Sequence, residues 1–83
     1  MKDFNIIIVE DVPLELKGTI GIIESDIPEA HIIGTADSEQ SYIKLLKEQL
    51  PDLVLLDFGL GGSTTVGVEI CRYTKEAHPE IKV

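Results

Sequence analysis

The chain has 83 residues, of which 43% are hydrophobic and 27% are charged, and this balance is typical of a globular domain. A chain of this length forms one domain at most, with a core of marginal size. Its net charge of -8 argues against nucleic-acid binding by this segment and favours cations or basic partners. With no apolar run of membrane-spanning length and a single cysteine, Cys71, we expect no membrane segment and a reducing, cytoplasmic setting.

The first predicted element is a strand over residues 6–9, Ile-Ile-Ile-Val, which stops at the acid pair Glu10 and Asp11. An unbroken run of β-branched residues is typical of a strand covered on both faces, as in a parallel sheet. Apolar residues at helical spacing follow over residues 13–27. This pattern predicts an amphipathic helix packed on that sheet.

Glycine and capping signals mark the first two helices. Gly18 and Gly21 weaken the first helix, so packing must hold it, and they suggest that it closely approaches the sheet. A second strand is predicted over residues 30–36. Asp37 with Gln40 then resembles a capping box, which predicts the start of the second helix.

The third predicted strand, residues 53–56, is Leu-Val-Leu-Leu and stops at Asp57. A loop rich in glycine and threonine, residues 59–65, leads to a third amphipathic helix that ends near residue 79. Residues 81–83 resemble the opening of a fourth strand. The element order is therefore β-α-β-α-β-α-(β).

This order predicts an α/β fold, a flavodoxin-like doubly wound parallel sheet with strand order 2-1-3-4, which the 83 residues leave incomplete. In that order the first and third strands are neighbours. Glu10, Asp11 and Asp57 then share one pocket at the carboxyl edge of the sheet, where ligands of such sheets bind. The exposed sheet edge also predicts pairing with a second chain as a homodimer.

Three carboxylates in one pocket need a compensating partner. Two carboxylates about 4 Å apart repel by roughly 4 kcal/mol at an effective dielectric constant near 20. Either one of the acids holds a proton, or a hard divalent cation lies among them. Mg²⁺ suits a site with few carboxylates, and with it a phosphoryl group can approach a carboxylate nucleophile.

At these residues the chain resembles the receiver domain of two-component response regulators, in which an acid pair follows the first strand and a lone acid follows the third. The resemblance implies Mg²⁺ ligands at Glu10, Asp11, Asp57 and the backbone carbonyl of Gly59. It implies that Asp57 accepts a phosphoryl group from a sensor histidine kinase, as a signalling switch rather than an enzyme. The residues around Glu10 are similar to those of regulators with a DNA-binding output domain, expected in a longer parent chain.

Members of this family place a Ser or Thr after the fourth strand and a Lys after the fifth, and Val83 precedes both positions. We therefore expect residues 1–83 to be the N-terminal part of a receiver domain, without the parts that complete the switch. A receiver that keeps the acids without being phosphorylated, and serves as an interaction module, is an alternative.

A second alternative is a fragment of a haloacid-dehalogenase-like phosphatase, which also uses an aspartate nucleophile after a strand. Those enzymes favour a second aspartate two residues after the nucleophile. Gly59 occupies that position here, which disfavours the phosphatase.

Overall fold

The computed structural model describes residues 2–57, 59–62 and 64–83. Strands and helices alternate along the chain in the order that the sequence predicts. The elements are β1 (Phe4–Val9), α1 (Pro13–Asp26), β2 (Ala30–Ala36), α2 (Glu39–Glu48), β3 (Leu53–Leu56), a short 3-10 turn (Leu60–Gly62) and α3 (Thr64–Ala77). Among the helices in these ranges, none has the length and apolar character needed to cross a membrane.

The three strands form one parallel sheet in the order β2-β1-β3. Beyond β3, Lys82 forms a parallel bridge with Leu53, and its backbone exchanges hydrogen bonds with the N–H of Val54 (2.8 Å) and the carbonyl of Asp52 (3.1 Å). A fourth segment thus lies next to β3. The flavodoxin-like fold and its strand order are confirmed, whereas pairing of two chains through the sheet edge stays a prediction.

Side chains of β1 alternate between the two faces of the sheet and are buried on both. Ile7 and Val9, each 0% exposed, pack in the core with α2 and α3. Ile6 and Ile8, each 2% exposed, pack under α1. Helices on both faces explain why the first strand is an uninterrupted apolar run.

A β-bulge at Ile33 changes which residues of β2 lie on each face of the sheet. Ile6 pairs with Ile32, but Ile7 pairs with Gly34, so Ile33 is the additional residue in β2. Ile32 lies on the α1 side, and after the bulge Gly34 faces Leu45 of α2, where an added Cβ would approach the leucine methyl groups to 3.1 Å. The bulge therefore brings the end of β2 against α2.

The start of α2 differs from the prediction by one residue. Ser38, rather than Asp37, is the N-cap, and its hydroxyl accepts a hydrogen bond from the Ser41 N–H at 3.1 Å. The Ser41 hydroxyl in turn accepts from the backbone N–H groups of Ser38 and Asp37, both at 3.2 Å. The capping box of Asp37 and Gln40 was wrong because Ser41 satisfies two backbone donors at once.

A buried hydrogen bond joins α2 to α3. Tyr42 and Thr74 are both 0% exposed, and their hydroxyl oxygens lie 2.6 Å apart. The Thr74 hydroxyl donates to the Ile70 carbonyl at 2.8 Å, which uses its single hydrogen. Tyr42 is therefore the donor in the bond to Thr74.

Gly18 and Gly21 do not mediate close packing, so that expectation was wrong. Both are exposed, and a Cβ added at either position would meet no atom within 4 Å. We expect Gly18→Ala and Gly21→Ala each to raise the free energy of unfolding by about 1 kcal/mol, because alanine costs less backbone entropy in a helix. Urea denaturation measures this.

Gly62 is the matched control for these two substitutions. An added Cβ there also meets open space, but the φ of Gly62 is +75°. Alanine at this position should therefore destabilise the protein by about 1–2 kcal/mol through backbone strain alone. Equal effects at Gly18 and Gly62 would contradict the conformational explanation.

Candidate metal and phosphoacceptor site

Backbone hydrogen bonds just beyond the strands fix the positions of Glu10 and Asp57. The Glu10 N–H donates to the Ala36 carbonyl at 2.9 Å, and the Asp57 N–H donates to the Val9 carbonyl at 3.1 Å. These bonds continue the parallel ladder past the last strand residues. Glu10, Asp11 and Asp57 each place a carboxylate oxygen within 4.8 Å of the others.

Glu10 and Asp57 line a cavity between α1 and the ends of β1 and β3. Its volume is about 270 Å³, and Ile8, Leu55 and Thr19 contribute to its walls together with Glu10 and Asp57. The acidic groups are thus set beside apolar side chains, where a charge is less well hydrated than in bulk water. Unpaired negative charge is costly in such a place.

Glu10 shows the electrostatic cost of this arrangement. Partial burial raises the pKa of its carboxyl group above 4.5, the hydrogen bond from the Val12 N–H lowers it, and contacts with the carboxyl groups of Asp57 and Glu15 raise it again. The Val12 bond, to Oε2 of Glu10, is 3.1 Å long. The net direction is upward, as expected for a carboxyl group that is partly desolvated and has other acids beside it.

Backbone groups after β3 orient Asp57. The Gly59 N–H donates to Oδ1 of Asp57 at 2.9 Å, and the Leu60 N–H donates to its backbone carbonyl at 3.2 Å. Leu60 itself is 1% exposed and packs in the core with α2 and α3. The Gly59 carbonyl, which the resemblance implies as a metal ligand, accepts from the Gly62 N–H at 2.9 Å and has a second lone pair.

Asp11 lies just before α1 but does not cap this helix. The N-cap of α1 is Val12, with extended backbone angles, so Asp11 does not occupy the capping position. Mg²⁺ takes hard oxygen ligands and is usually bound through a small number of carboxylates together with water, and the three clustered acids supply such oxygens. The residues present therefore fit this ion.

Sequence reasoning missed Glu15. This residue lies in the first turn of α1, and its carboxyl group contacts that of Glu10. The sequence offers only helical spacing as a signal, one turn before Thr19, and the structure is needed to show that Thr19 lines the cavity. Glu15 is thus a fourth acid beside the predicted pocket.

The raised pKa of Glu10 predicts how stability depends on pH. An acid with a higher pKa in the folded state contributes stability below 4.5, and this contribution is lost as pH rises through the folded-state pKa. In a chelator, Glu10→Gln should therefore be more stable than the wild type at pH 7. The difference should narrow towards pH 4.5.

Urea denaturation of both proteins across this pH range measures the difference. Glu24→Gln, at an exposed position on α1, is the control for loss of one charge. If Glu10→Gln were more stable than the wild type by the same amount at every pH, the raised pKa of Glu10 would be contradicted.

The comparisons identify the class of protein. Residues 6–83 match the response regulator receiver domain family. The chain belongs to this family, and it is a receiver domain of two-component signalling. The recognition from the acid pattern is confirmed, and the phosphatase alternative is not favoured.

The relatives are named response regulators. The chain is 33% identical over 78 residues to the response regulator GacA of Pseudomonas viridiflava, covering 94% of this chain and 35% of GacA. It therefore spans about a third of the length of this curated relative.

Solved receiver structures share the fold. The isolated REC domain of RcsB from Salmonella enterica serovar Typhimurium aligns with a TM-score of 0.80 at 23% identity, covering 95% of this chain and 56% of that one. PhyR from Bartonella quintana, solved in complex with the anti-sigma factor NepR, aligns with a TM-score of 0.85 at 21% identity, covering 98% and 32%.

Proposed function

We propose that Asp57 is the phosphoacceptor of this receiver domain and that Glu10, Asp11, Asp57 and the Gly59 carbonyl hold Mg²⁺. One observation carries the proposal: the three carboxylates, from two neighbouring strands, lie within 4.8 Å of one another in a family defined by this chemistry. The raised pKa of Glu10 supports a cation at this place, since a cation relieves the cause of the shift.

The proposed reaction is transfer of a phosphoryl group from a phosphohistidine of a sensor histidine kinase. A carboxylate oxygen of Asp57 forms a bond to phosphorus while the bond between phosphorus and the histidine nitrogen breaks, and that nitrogen keeps the electron pair. When bound, Mg²⁺ neutralises the charge on the phosphoryl oxygens. The Gly59 N–H orients the nucleophile through Oδ1.

The phosphoryl group is a signal rather than a product, because it adds charge at one sheet edge and biases a surface elsewhere. The domain is a switch, with at most self-phosphorylation and self-dephosphorylation as activities of its own. A structure of RcsB bound to the promoter rprA in the presence of the phosphomimetic BeF3- supports a DNA-binding output domain in a longer parent chain. The proposed location is the cytoplasm.

The test is phosphorylation of the wild-type protein by a small acyl phosphate donor. With Mg²⁺ we expect a base-labile acyl phosphate, and with a chelator we expect none. Label that forms equally without a divalent cation would refute the metal assignment. Mg²⁺ binding without any label, from either the donor or a phosphorylated kinase, would favour the interaction module.

A further inference from the structure

Glu15 lies beside the acidic pocket without belonging to the ligand set. Residues 15 and 19 are one helical turn apart and share a face of α1. Thr19 lines the cavity that contains Glu10 and Asp57. Helical side chains tilt towards the helix N-terminus, so Glu15 extends towards the loop that carries Glu10, and their carboxyl groups are in contact.

The distances separate Glu15 from the proposed ligands. Among the described residues, the carboxylates with oxygens mutually within 4.8 Å are Glu10, Asp11 and Asp57, and Glu15 is outside this group. A negative charge at this position still attracts a divalent cation in the pocket. Coulomb attraction to a double positive charge falls off only with the inverse of the distance, so an acid outside the ligand set can still contribute to it.

We propose that Glu15 is a positioning residue of the metal site, which strengthens divalent-cation binding by its charge and does not ligate the ion. The inference rests on the proposed function, because it assumes that the three ligands bind Mg²⁺. Without a cation, the charged carboxylates of Glu15 and Glu10 repel each other. A cation bound at the three ligands is attracted by the charge of Glu15 as well as by the ligands themselves.

A purely structural role makes different predictions. An acid in the first turn of a helix interacts favourably with the helix dipole, and this stabilises the helix whether or not metal is bound. A charge that acts on the cation instead changes the affinity for Mg²⁺. Its effect also weakens as salt screens the interaction.

The experiment is calorimetric titration of the protein with Mg²⁺ at low and at high ionic strength. We expect Glu15→Gln to weaken binding by about threefold to tenfold at low salt, and by less at high salt. Glu24→Gln removes the same charge from the same helix about 13 Å away along its axis, and its affinity should equal that of the wild type. Glu15→Asp, which keeps the charge, should recover part of the loss.

The outcomes separate this inference from the proposed function. Unchanged or tighter binding by Glu15→Gln, with binding lost in Asp11→Asn, overturns the inference and leaves the proposed function intact. A wild-type protein that does not bind Mg²⁺ overturns the proposed function. A Glu15→Gln variant that melts lower by the same amount with and without Mg²⁺ has only the structural role, which also overturns the inference.

Discussion

Replacing Asp57 with asparagine should abolish phosphorylation. The amide retains the shape of the side chain and can still accept the Gly59 hydrogen bond, but it has no anionic oxygen to attack phosphorus. We therefore expect label from a small acyl phosphate donor to fall to the background of a reaction without donor. The variant should remain folded, because it removes a negative charge from a crowded acidic pocket.

Asp37→Asn is the matched control. Asp37 follows β2 as Asp57 follows β3, at the same edge of the sheet, but it is not among the clustered carboxylates. Labelling of this variant should equal that of the wild type. Retention of base-labile label by Asp57→Asn would place the phosphoacceptor elsewhere, and mass spectrometry of the labelled peptide would locate it.

Thr74→Val should cost more stability than Tyr42→Phe, although each removes one hydroxyl from the same hydrogen bond. Valine leaves the buried Tyr42 hydroxyl without its acceptor, at a cost of about 1–3 kcal/mol. Phenylalanine removes the donor, and Thr74 still donates to the Ile70 carbonyl, so the cost is about 0.5–1.5 kcal/mol. Urea denaturation of the two variants measures the order.

The double variant sharpens this prediction. When both hydroxyls are gone, neither leaves a buried polar group without a partner. Adding Tyr42→Phe to the Thr74→Val variant should therefore cost little further stability or restore some of it. Thr74→Ser, which keeps the hydroxyl, is the control for loss of the methyl group. Additive costs in the double variant would show that the two hydroxyls do not act as a pair.

The sheet and the position of its acids were predictable because they depend on patterns that a linear sequence displays. Apolar runs covered on both faces predicted the parallel strands, and short connections predicted the order that places Asp57 beside Glu10. The meeting of the acids then follows from strand adjacency. Their individual roles as ligands and phosphoacceptor stay predictions.

Features that depend on the direction of a side chain, or on which of several residues makes a hydrogen bond, were not predictable. Two overlapping three-residue spacings were available for the cap of α2, and only the structure shows that Ser41 satisfies both backbone donors. The bulge at Ile33 has no glycine or proline at its own position to mark it. Glu15 required knowledge of which helix face looks onto the sheet edge.

Leu60 is buried three residues after Asp57, and this limits how far Asp57 can move without disturbing the core. Small shifts of Asp57 can be absorbed by the few peptide bonds between it and a leucine that stays fixed in the core. A larger shift must draw that side chain out, and exposing a leucine costs about 1.5–3 kcal/mol. We therefore expect small displacements of Asp57 to leave the packing of α2 and α3 unchanged and larger ones to disturb it.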